Sequence, residues 1–343
     1  MRSTEIRKRL ASASNVRIRI LQAVAVTGLR TATSVFGIYL ILIFFSGGCG
    51  NSEESQKDSK PQETAIDSGL IPEFPYRLKK PDWKLKLPGY MQEISGLTYA
   101  GENLLGCIGD ELGLIDFIDV STGKIVRQVE IGEHGDFEGI EVAGNRIWAL
   151  RSDGKIFRIC GYESDNPDVS SFATEMDPDC NAEGLGFDAG SGNLLITCKG
   201  DPGKGKNRKG KKAIFLFDTL TKRISAEPFL LIDPDKFQTF RNNAISGGRL
   251  DFFDEEAVNE FNPSAIAVHP VTTEIYILSA NERRLVVVSK GGEILAVKKL
   301  DPDHFIQPEG IAFDNAGNLF IASEGGGKEG EIRRFDWARP AGK

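Results

Sequence analysis

The stretch "GDFEGIEVAGNRIWAL" (135–150) contains the pattern that decides the fold. It places Glu138 and a glycine at the start of a short apolar strand, which is followed by a Gly-Asn turn and a second, more apolar strand. The stretches "NAEGLGFDAGSGNLLIT" (181–197) and "QPEGIAFDNAGNLFIAS" (307–323) repeat this order with Glu183 and Glu309. A hairpin that recurs with a glutamate at the same point predicts a protein built from repeated units.

Two further copies carry serine in place of glutamate, Ser95 in "EISGLTY" and Ser264 in "NPSAIAV". The five starts are separated by 43, 45, 81 and 45 residues. Two more strands follow the hairpin in most units, so each unit has about four antiparallel strands. Repeated four-stranded units are typical of a β-propeller, in which each unit forms one blade. We therefore predict an all-β protein with the architecture of a β-propeller.

The number of blades depends on the interval of 81 residues between the third and fourth starts. Residues 184–232 already supply four strands for the third blade. Residues 233–261 lack the alternation of a strand and indicate a partly helical insertion. Five blades are therefore preferred, and six blades are the alternative.

The two ends of the repeat region complement each other. The last unit stops after "EIRRFDW" (331–337), one strand short of a full blade, whereas "WKLKL" (83–87) alternates polar and apolar residues outside any repeat. We predict that this N-terminal strand completes the last blade, which closes the ring and leaves no open sheet edge.

Residues 1–48 have the features of an export signal. An Arg-rich start leads into the apolar run "VFGIYLILIFF" (35–45), which is too short to cross a bilayer because a spanning helix takes about 20 residues. The "SGGC" that follows resembles the lipobox of bacterial lipoproteins, although Ser46 stands where that motif prefers Leu. This resemblance predicts lipidation of Cys49; the alternative is an uncleaved anchor with a buried cysteine.

Residues 49–75 are polar and nearly free of large apolar side chains, so they cannot bury enough surface to offset the entropy lost on ordering. We predict a disordered tether there and a propeller domain over residues 76–343. The anchor and the tether place the domain at the bacterial cell envelope, on the outer membrane or the plasma membrane. We expect a monomer.

The charge balance limits the possible partners. The formal net charge is −7, although the export signal alone contains seven of the 42 Lys and Arg residues, so the rest of the chain is more acidic still. Such a surface argues against nucleic acid as a partner and is compatible with cations or cationic ligands. The predicted partners are the membrane, through the anchor, and an unidentified ligand or envelope protein.

The repeat also predicts rings of side chains. The first strand of each blade lines the central channel of a propeller, so equivalent positions surround the axis. The repeat starts form one ring, and the positions two residues earlier lie on the same strand face and form a second. In blade order the first ring is Ser95, Glu138, Glu183, Ser264 and Glu309, and the second is Glu93, Asp136, Asn181, Asn262 and Gln307.

Carboxylates that converge on a narrow axis repel one another unless some are protonated or a cation lies between them. Oxygen ligands without His or Cys favour a hard cation, and this mixture favours Ca²⁺. The candidate ligands are Glu138, Glu183 and Glu309, with Glu93 and Asp136 as lesser candidates. The alternative is that these glutamates bind backbone N–H groups and only join neighbouring blades.

Four cysteines lie beyond Cys49. Export permits disulfides, and four cysteines allow three pairings. A Cys160–Cys180 disulfide is weakly favoured because these two flank one loop; four buried thiols are an equal alternative.

The motifs "ISGLTY", "DFEGIEV", "AEGLGF", "PSAIAVHP" and "PEGIAFD", in this order and spacing, resemble the SdiA-regulated family of bacterial envelope propellers, which are distantly similar to NHL repeats. The resemblance covers about residues 76–340 and implies a five-bladed propeller with a calcium site and no established reaction. Two functions follow: a module that binds a ligand or protein, and a metal-dependent hydrolase of the phytase-like or lactonase-like propeller class. Binding is preferred, since no histidine is fixed in the ring register.

Overall fold

The computed structural model describes residues 73–339 except residue 206 and residues 255–259. The predicted export signal, Cys49 and nearly all of the predicted tether lie outside the described residues. Five antiparallel sheets form a five-bladed β-propeller, as the repeat predicts. None of the helices in the described part has both the length and the apolarity needed to cross a bilayer.

Each blade consists of consecutive strands, and the first strand of the blade lies nearest the axis. Blade one contains β2 (Ile94–Gly101), β3 (Leu104–Gly109), β4 (Leu114–Asp119) and β5 (Lys124–Glu130); blade two contains β6 (Phe137–Ala143), β7 (Arg146–Arg151), β8 (Ile156–Cys160) and β9 (Asp168–Phe172). Blade three contains β10 (Ala182–Asp188), β11 (Asn193–Cys198), β12 (Lys212–Asp218), β13 (Arg223–Ile224) and β14 (Leu230–Ile232), of which the last two both pair with β12. Blade four contains β15 (Pro263–Val268), β16 (Ile275–Ser279), β17 (Arg284–Val288) and β18 (Ile294–Lys299), and blade five contains β19 (Gln307–Phe313), β20 (Leu319–Glu324) and β21 (Glu331–Phe335).

The ring closes through the N-terminal strand β1 (Trp83–Lys86), which is the fourth strand of blade five. It runs antiparallel to β21, with Trp83 opposite Arg334 and Leu85 opposite Ile332. The Leu87 N–H extends the ladder by donating to the Gly330 carbonyl oxygen over 2.8 Å. The prediction of closure by an N-terminal strand is therefore confirmed, and blade five has no unpaired edge at β21.

The hydrophobic core lies between neighbouring blades, because both faces of each sheet are covered. Between blades two and three, for example, Trp148 packs on Phe217 with ring centroids 5.9 Å apart, and the two side chains are 1% and 0% exposed. Truncating an aromatic side chain buried in this way typically destabilises a protein by about 3–5 kcal/mol. This packing explains why the second strand of each repeat is the most apolar.

The insertion between blades three and four is partly helical, as predicted. Two 3₁₀ turns (Pro234–Lys236 and Leu250–Phe252) flank the helix α1 (Phe237–Ser246). Phe237 and Phe261 are 0% and 1% exposed and pack edge to face with ring centroids 5.6 Å apart. The described part of the insertion contributes one isolated β-bridge, from Phe253 to Val297, and no sheet, so the alternative of six blades is wrong.

The predicted Cys160–Cys180 disulfide is wrong. Cys180 instead bonds to Cys198, with their Cα atoms 5.0 Å apart, and Cys107 and Cys160 are free. The reason is cross-strand register: Ala182 on β10 is opposite Cys198 on β11, which brings the turn just before β10 next to the end of β11. Cys160 and Cys180 flank one loop in the sequence but do not bond, because the pairing of β10 with β11 brings Cys198 to Cys180 instead.

Candidate functional site

The five inner strands, which are β2, β6, β10, β15 and β19, share a β-bulge at the repeat start. The ladder to the second strand of the blade skips one residue between Ile94 and Gly96, Phe137 and Gly139, Glu183 and Leu185, Pro263 and Ala265, and Pro308 and Gly310. A bulge bends a strand and redirects its side chains. The repeated Glu-Gly signature is thus a repeated bulge, which turns the ring residues into one end of the channel.

The glycine after the ring glutamate lets the inner strands approach closely. A Cβ atom on Gly139 would lie 2.8 Å from both the backbone nitrogen and the Cβ of Leu185 in the next blade. A Cβ on Gly184, which has φ +74°, would lie 2.8 Å from the Cα of Ala265. These positions require glycine because the inner strands of neighbouring blades are in backbone contact there.

The axis is closed two residues beyond the ring by an apolar plug, which consists of Leu97, Ile140, Leu185, Ile266 and Ile311. Each of these side chains is at most 4% exposed. The cavity between the ring and the plug has a volume of about 10 Å³, which is space for roughly one water molecule. The channel therefore has two separate mouths rather than a passage through it.

We call the mouth at the starts of the inner strands the acidic mouth; it is formed by Glu138, Glu183, Glu309, Glu324 and Lys199. Glu183 is 3% exposed and accepts hydrogen bonds from the Asn181 amide nitrogen at 3.0 Å and the Lys199 Nζ at 2.7 Å. The other two ring glutamates are partly exposed. The three ring glutamates are close enough to affect one another: the charge of Glu183 contributes to the raised pKa of Glu138, and the charges of both contribute to the raised pKa of Glu309.

Glu309 forms a hydrogen bond with Glu324, which is the last residue of β20. Two carboxyl groups can share a hydrogen bond only when one of them carries a proton. Burial, this hydrogen bond and the charge of Glu324 raise the pKa of Glu309 to about 9, and burial also raises the pKa of Glu324. At neutral pH, Glu309 therefore holds a proton in the absence of another cation.

The pKa of Glu138 is raised in the same way as that of Glu309. Burial raises its pKa to about 9, and the neighbouring charges of Glu183 and Asp136 add to the shift. Burial likewise raises the pKa of Asp110, to about 6, with Glu93 as the next contribution. Crowded carboxyl groups whose pKa values are pushed upward are candidates for a functional site.

Lys199 brings a positive charge among these carboxyl groups. Burial opposes the ammonium form, but the hydrogen bond and the charge of Glu183 outweigh it, and with Glu309 and Glu138 they raise the pKa of Lys199. Burial still raises the pKa of Glu183 in spite of the pairing. The lysine offsets one negative charge, so the acidic mouth retains an excess of carboxyl groups over cations.

The lesser predicted ligands lie at the exposed rim. Glu93 interacts with Asp110 and Glu324, and Asp136 interacts with Glu138 and Glu183. The ring serines belong to the scaffold instead: the Ser264 hydroxyl donates to the Pro308 carbonyl oxygen at 2.8 Å, and the Ser95 hydroxyl donates to a backbone oxygen in its own blade. The ring therefore offers fewer side-chain oxygen ligands at the mouth than the sequence predicts, because both serine hydroxyls bind backbone oxygen atoms.

The acidic mouth suits a hard cation, because its glutamate side chains offer only carboxylate oxygen atoms as ligands. Among the described residues, however, no three His, Cys, Asp or Glu side chains form a group arranged to hold a metal ion. In this arrangement the Lys199 ammonium pairs with Glu183, one of the three main predicted ligands.

The sequence of the SdiA-regulated family matches residues 68–326, which is most of the chain. The chain belongs to the SdiA-regulated family. This match confirms the family that the hairpin motifs indicate, and it covers every residue of the acidic mouth. No curated protein matches the chain.

Solved propeller-like structures are more distant from this SdiA-regulated protein. Glutaminyl cyclase from Myxococcus xanthus is 11% identical with a TM-score of 0.49, over 75% of this chain and 96% of that chain. A streptogramin B lyase is 15% identical with a TM-score of 0.40, over 75% of this chain and 73% of that one. The PQQ-bound aldose sugar dehydrogenase from Streptomyces coelicolor is 14% identical with a TM-score of 0.44, over 75% and 97%. Similarity at this level carries no argument about function.

Two site residues of this SdiA-regulated chain, Lys199 and Glu324, are missing from the sequence prediction. They belong to a third ring, at the end of the second strand of each blade, which contains Asp110, Ser152, Lys199, Ala280 and Glu324. Lys199 and Asp110 are bonded through the backbone to Asn181 and Glu93 of the second predicted ring. Aligning the ends of the second strands, as well as the starts of the first, would have revealed this ring.

Proposed function

We propose that this SdiA-regulated propeller is a lipid-anchored binding module of the cell envelope, which binds Ca²⁺ at its acidic mouth and takes up a ligand or protein partner there. The observation that carries the proposal is the crowding of Glu138, Glu183, Glu309 and Glu324 around a single lysine. Carboxyl groups that are crowded and partly or fully buried in such numbers require protons or a cation.

Calcium is proposed because its preferred ligands are several flexible oxygen donors, and the acidic mouth supplies no others. Glu138, Glu183 and Glu309 would hold the ion, with Glu324 as a fourth donor and Glu93 and Asp136 at the rim. Bound calcium would replace protons as the compensation for the carboxylate charge. It would also compete with the Lys199 ammonium for Glu183, so the affinity depends on how readily that ion pair gives way.

Anchoring through Cys49 is proposed from the lipobox resemblance in the sequence. The Cys180–Cys198 disulfide supports an exported location, since disulfides persist in oxidising compartments. The acidic surface of the domain supports a cationic ligand or a basic segment of an envelope protein as the partner. The hydrolase alternative from the sequence stays an untested prediction.

A comparison of melting temperatures tests the calcium site. Saturating calcium, at a hundredfold excess over the dissociation constant, should stabilise the folded protein by about 2.7 kcal/mol relative to a chelator. For a domain of this size the melting temperature should rise by roughly 5–10 °C. Magnesium, which demands tighter octahedral geometry, should give a smaller shift.

Glu309→Gln is the informative variant, because a Gln amide can donate to Glu324 as the protonated Glu309 does. Its melting temperature in chelator should match that of the parent, whereas its calcium shift should be much smaller. Glu130→Gln, on the exposed end of the outer strand β5, is the matched control and should keep the full shift. A parent protein that melts at the same temperature in calcium and in chelator would refute the calcium site.

A further inference from the structure

The opposite end of the axis contains a larger cavity, with a volume of about 230 Å³. We call it the aromatic mouth, and we define it by the residues four positions after the ring: Tyr99, Val142, Phe187, Val268 and Phe313. All five inner strands contribute to it, so it lies on the axis beyond the apolar plug. The volume exceeds that of a single water several-fold and admits a small organic molecule.

Two carboxylates lie in the wall of this cavity, those of Glu141 and Asp188. Glu141 belongs to the positions three residues after the ring, where the equivalent residues of blades three to five are Gly186, Ala267 and Ala312. Blade one has Thr98 at this position, so Glu141 is the only carboxylate of the set. The cavity thus combines apolar and aromatic walls with few polar groups, among them the carboxylates of Glu141 and Asp188, which is the usual composition of a small-molecule site.

Hydrogen bonds hold Glu141 in place. Its Oε1 accepts from the Thr98 hydroxyl at 2.7 Å and from the Val142 N–H at 2.9 Å, and the Phe187 N–H also donates to its carboxylate. Burial nevertheless raises the pKa of Glu141 to about 7. Three donors fix the direction of the carboxylate without supplying a positive charge.

The cavity lining lacks a compensating cation among the described residues. The other lining acid, Asp188, is already paired with Lys290 at 2.6 Å. His269 is fully buried, its Nδ1 accepts from the Val271 and Thr272 N–H groups, and burial lowers its pKa to about 4, so it is neutral at pH 7. The faces of aromatic rings also carry negative potential, which attracts cations.

We propose that the aromatic mouth is a second binding site, which takes a small organic cation with an alkylammonium group. The ammonium group pairs with Glu141, and the alkyl part packs against Tyr99, Phe187 and Phe313. Phe313 is well placed as a wall, because His269 and Tyr276 support its ring with centroids 4.9 and 5.0 Å away. This site is independent of calcium and of the acidic mouth.

The competing explanation is that Glu141 only joins blades one, two and three through Thr98 and Phe187. The probes n-butylammonium and n-butanol distinguish the two explanations, because they have the same length and differ in charge. Titration of the folded parent domain by ligand-observed NMR should show butylammonium binding at least tenfold more tightly than butanol. A tenfold preference corresponds to about 1.4 kcal/mol, a modest value for a desolvated charge pair.

Glu141→Gln should abolish the preference, so that both probes bind equally weakly. Phe187→Leu, which keeps the carboxylate, should weaken butylammonium binding several-fold and covers the case in which Glu141→Gln does not fold. Glu130→Gln, on the exposed end of the outer strand β5, is the matched control and should leave butylammonium binding unchanged, as should calcium or a chelator. Equal affinities of the parent for both probes, or no saturable butylammonium binding up to about 10 mM, would overturn the proposal whatever the outcome at the acidic mouth.

Discussion

At one end of the axis, Glu138 and Glu309 are half-buried beside other carboxyl groups, and at the other end Glu141 is half-buried beside three hydrogen-bond donors. Burial raises the pKa in each case, but to about 9 at the acidic mouth and to about 7 at the aromatic mouth. The neighbours account for the difference, since like charges disfavour the ionised form and N–H or O–H donors favour it. The acidic mouth therefore requires a cation or protons, whereas the aromatic mouth presents one oriented carboxylate.

This contrast arises within one strand pattern. From the ring position onward, each inner strand carries an acid or serine, then a small residue, then an apolar plug residue, and at the fourth position after the ring an aromatic residue or valine. The bulge at the ring turns the first residue into the acidic mouth, while the plug separates it from the fourth. A substitution at one mouth can thus be tested with the other mouth as an internal control.

The largest expected effect comes from removing the disulfide that supports the acidic mouth. Cys180 and Cys198 immediately precede Asn181 and Lys199, both of which bind Glu183. Replacing both cysteines with Ala should lower the free energy of unfolding by about 3 kcal/mol, the entropy term for a loop of this length. Thermal denaturation measures the loss.

The same variant sharpens the comparison. Calcium affinity at the acidic mouth should fall, while butylammonium binding at the aromatic mouth should persist. Cys160→Ala is the control, because this thiol is free and lies at the end of β8. Equal losses of calcium affinity and of butylammonium affinity would mean that the two mouths do not respond separately.

The next effect comes from Gly139, on which both mouths depend. Gly139→Ala places a Cβ 2.8 Å from the backbone of Leu185 in the next blade, so the two inner strands must separate. Overpacking of this kind should cost about 2 kcal/mol, and the melting temperature should drop by several degrees. Gly89→Ala, where a Cβ has no neighbour within 4 Å, should change little. Equal melting temperatures of the two variants would contradict the close approach of the inner strands.

The sequence predicts most of this fold, because the features that specify it are local and repeated. The bulge and its glycine recur as Glu-Gly, and the alternation of "WKLKL" (83–87) is enough to identify the closing strand. Convergence of Glu138, Glu183 and Glu309 follows from the same alignment. The glutamates could therefore be found without a structure.

The rest depends on cross-strand register, which the sequence does not display. Lys199 and Cys198 meet β10 only through the pairing of β10 with β11, so the ion pair and the disulfide were both missed. Glu141 was missed for a different reason. It lies on an inner strand three residues after the ring, where the aligned positions of the other blades carry no acid and so give no repeated signal.

The last expected effect is the pH dependence of stability, which should differ between the two mouths. Without calcium, the folded protein retains protons on Glu138 and Glu309 up to a pKa of about 9, whereas the unfolded chain loses them near the ordinary value of 4.5. The folded state binds more protons across this window, so stability should fall as the pH rises from about 5 to about 9. Melting temperatures in chelator at several pH values measure the slope.

Glu138→Gln should flatten this slope across the whole window. Glu141→Gln should flatten it only below about pH 7, because the pKa of Glu141 is raised only to that value. Identical profiles of melting temperature against pH for the two variants would contradict the electrostatic difference between the mouths.

The most direct test of the central claim is the count of protons released when calcium binds. At pH 7.5, Glu138 and Glu309 hold protons in the metal-free protein because both pKa values are about 9, and a cation that binds their carboxylates must displace them. Isothermal titration calorimetry in two buffers of different ionisation enthalpy gives the number directly. We predict the release of roughly one to two protons per calcium in the parent and about one fewer in Glu138→Gln. No calcium binding, or binding that releases no protons and is the same in the variant, would contradict the claim that the acidic mouth is a cation site.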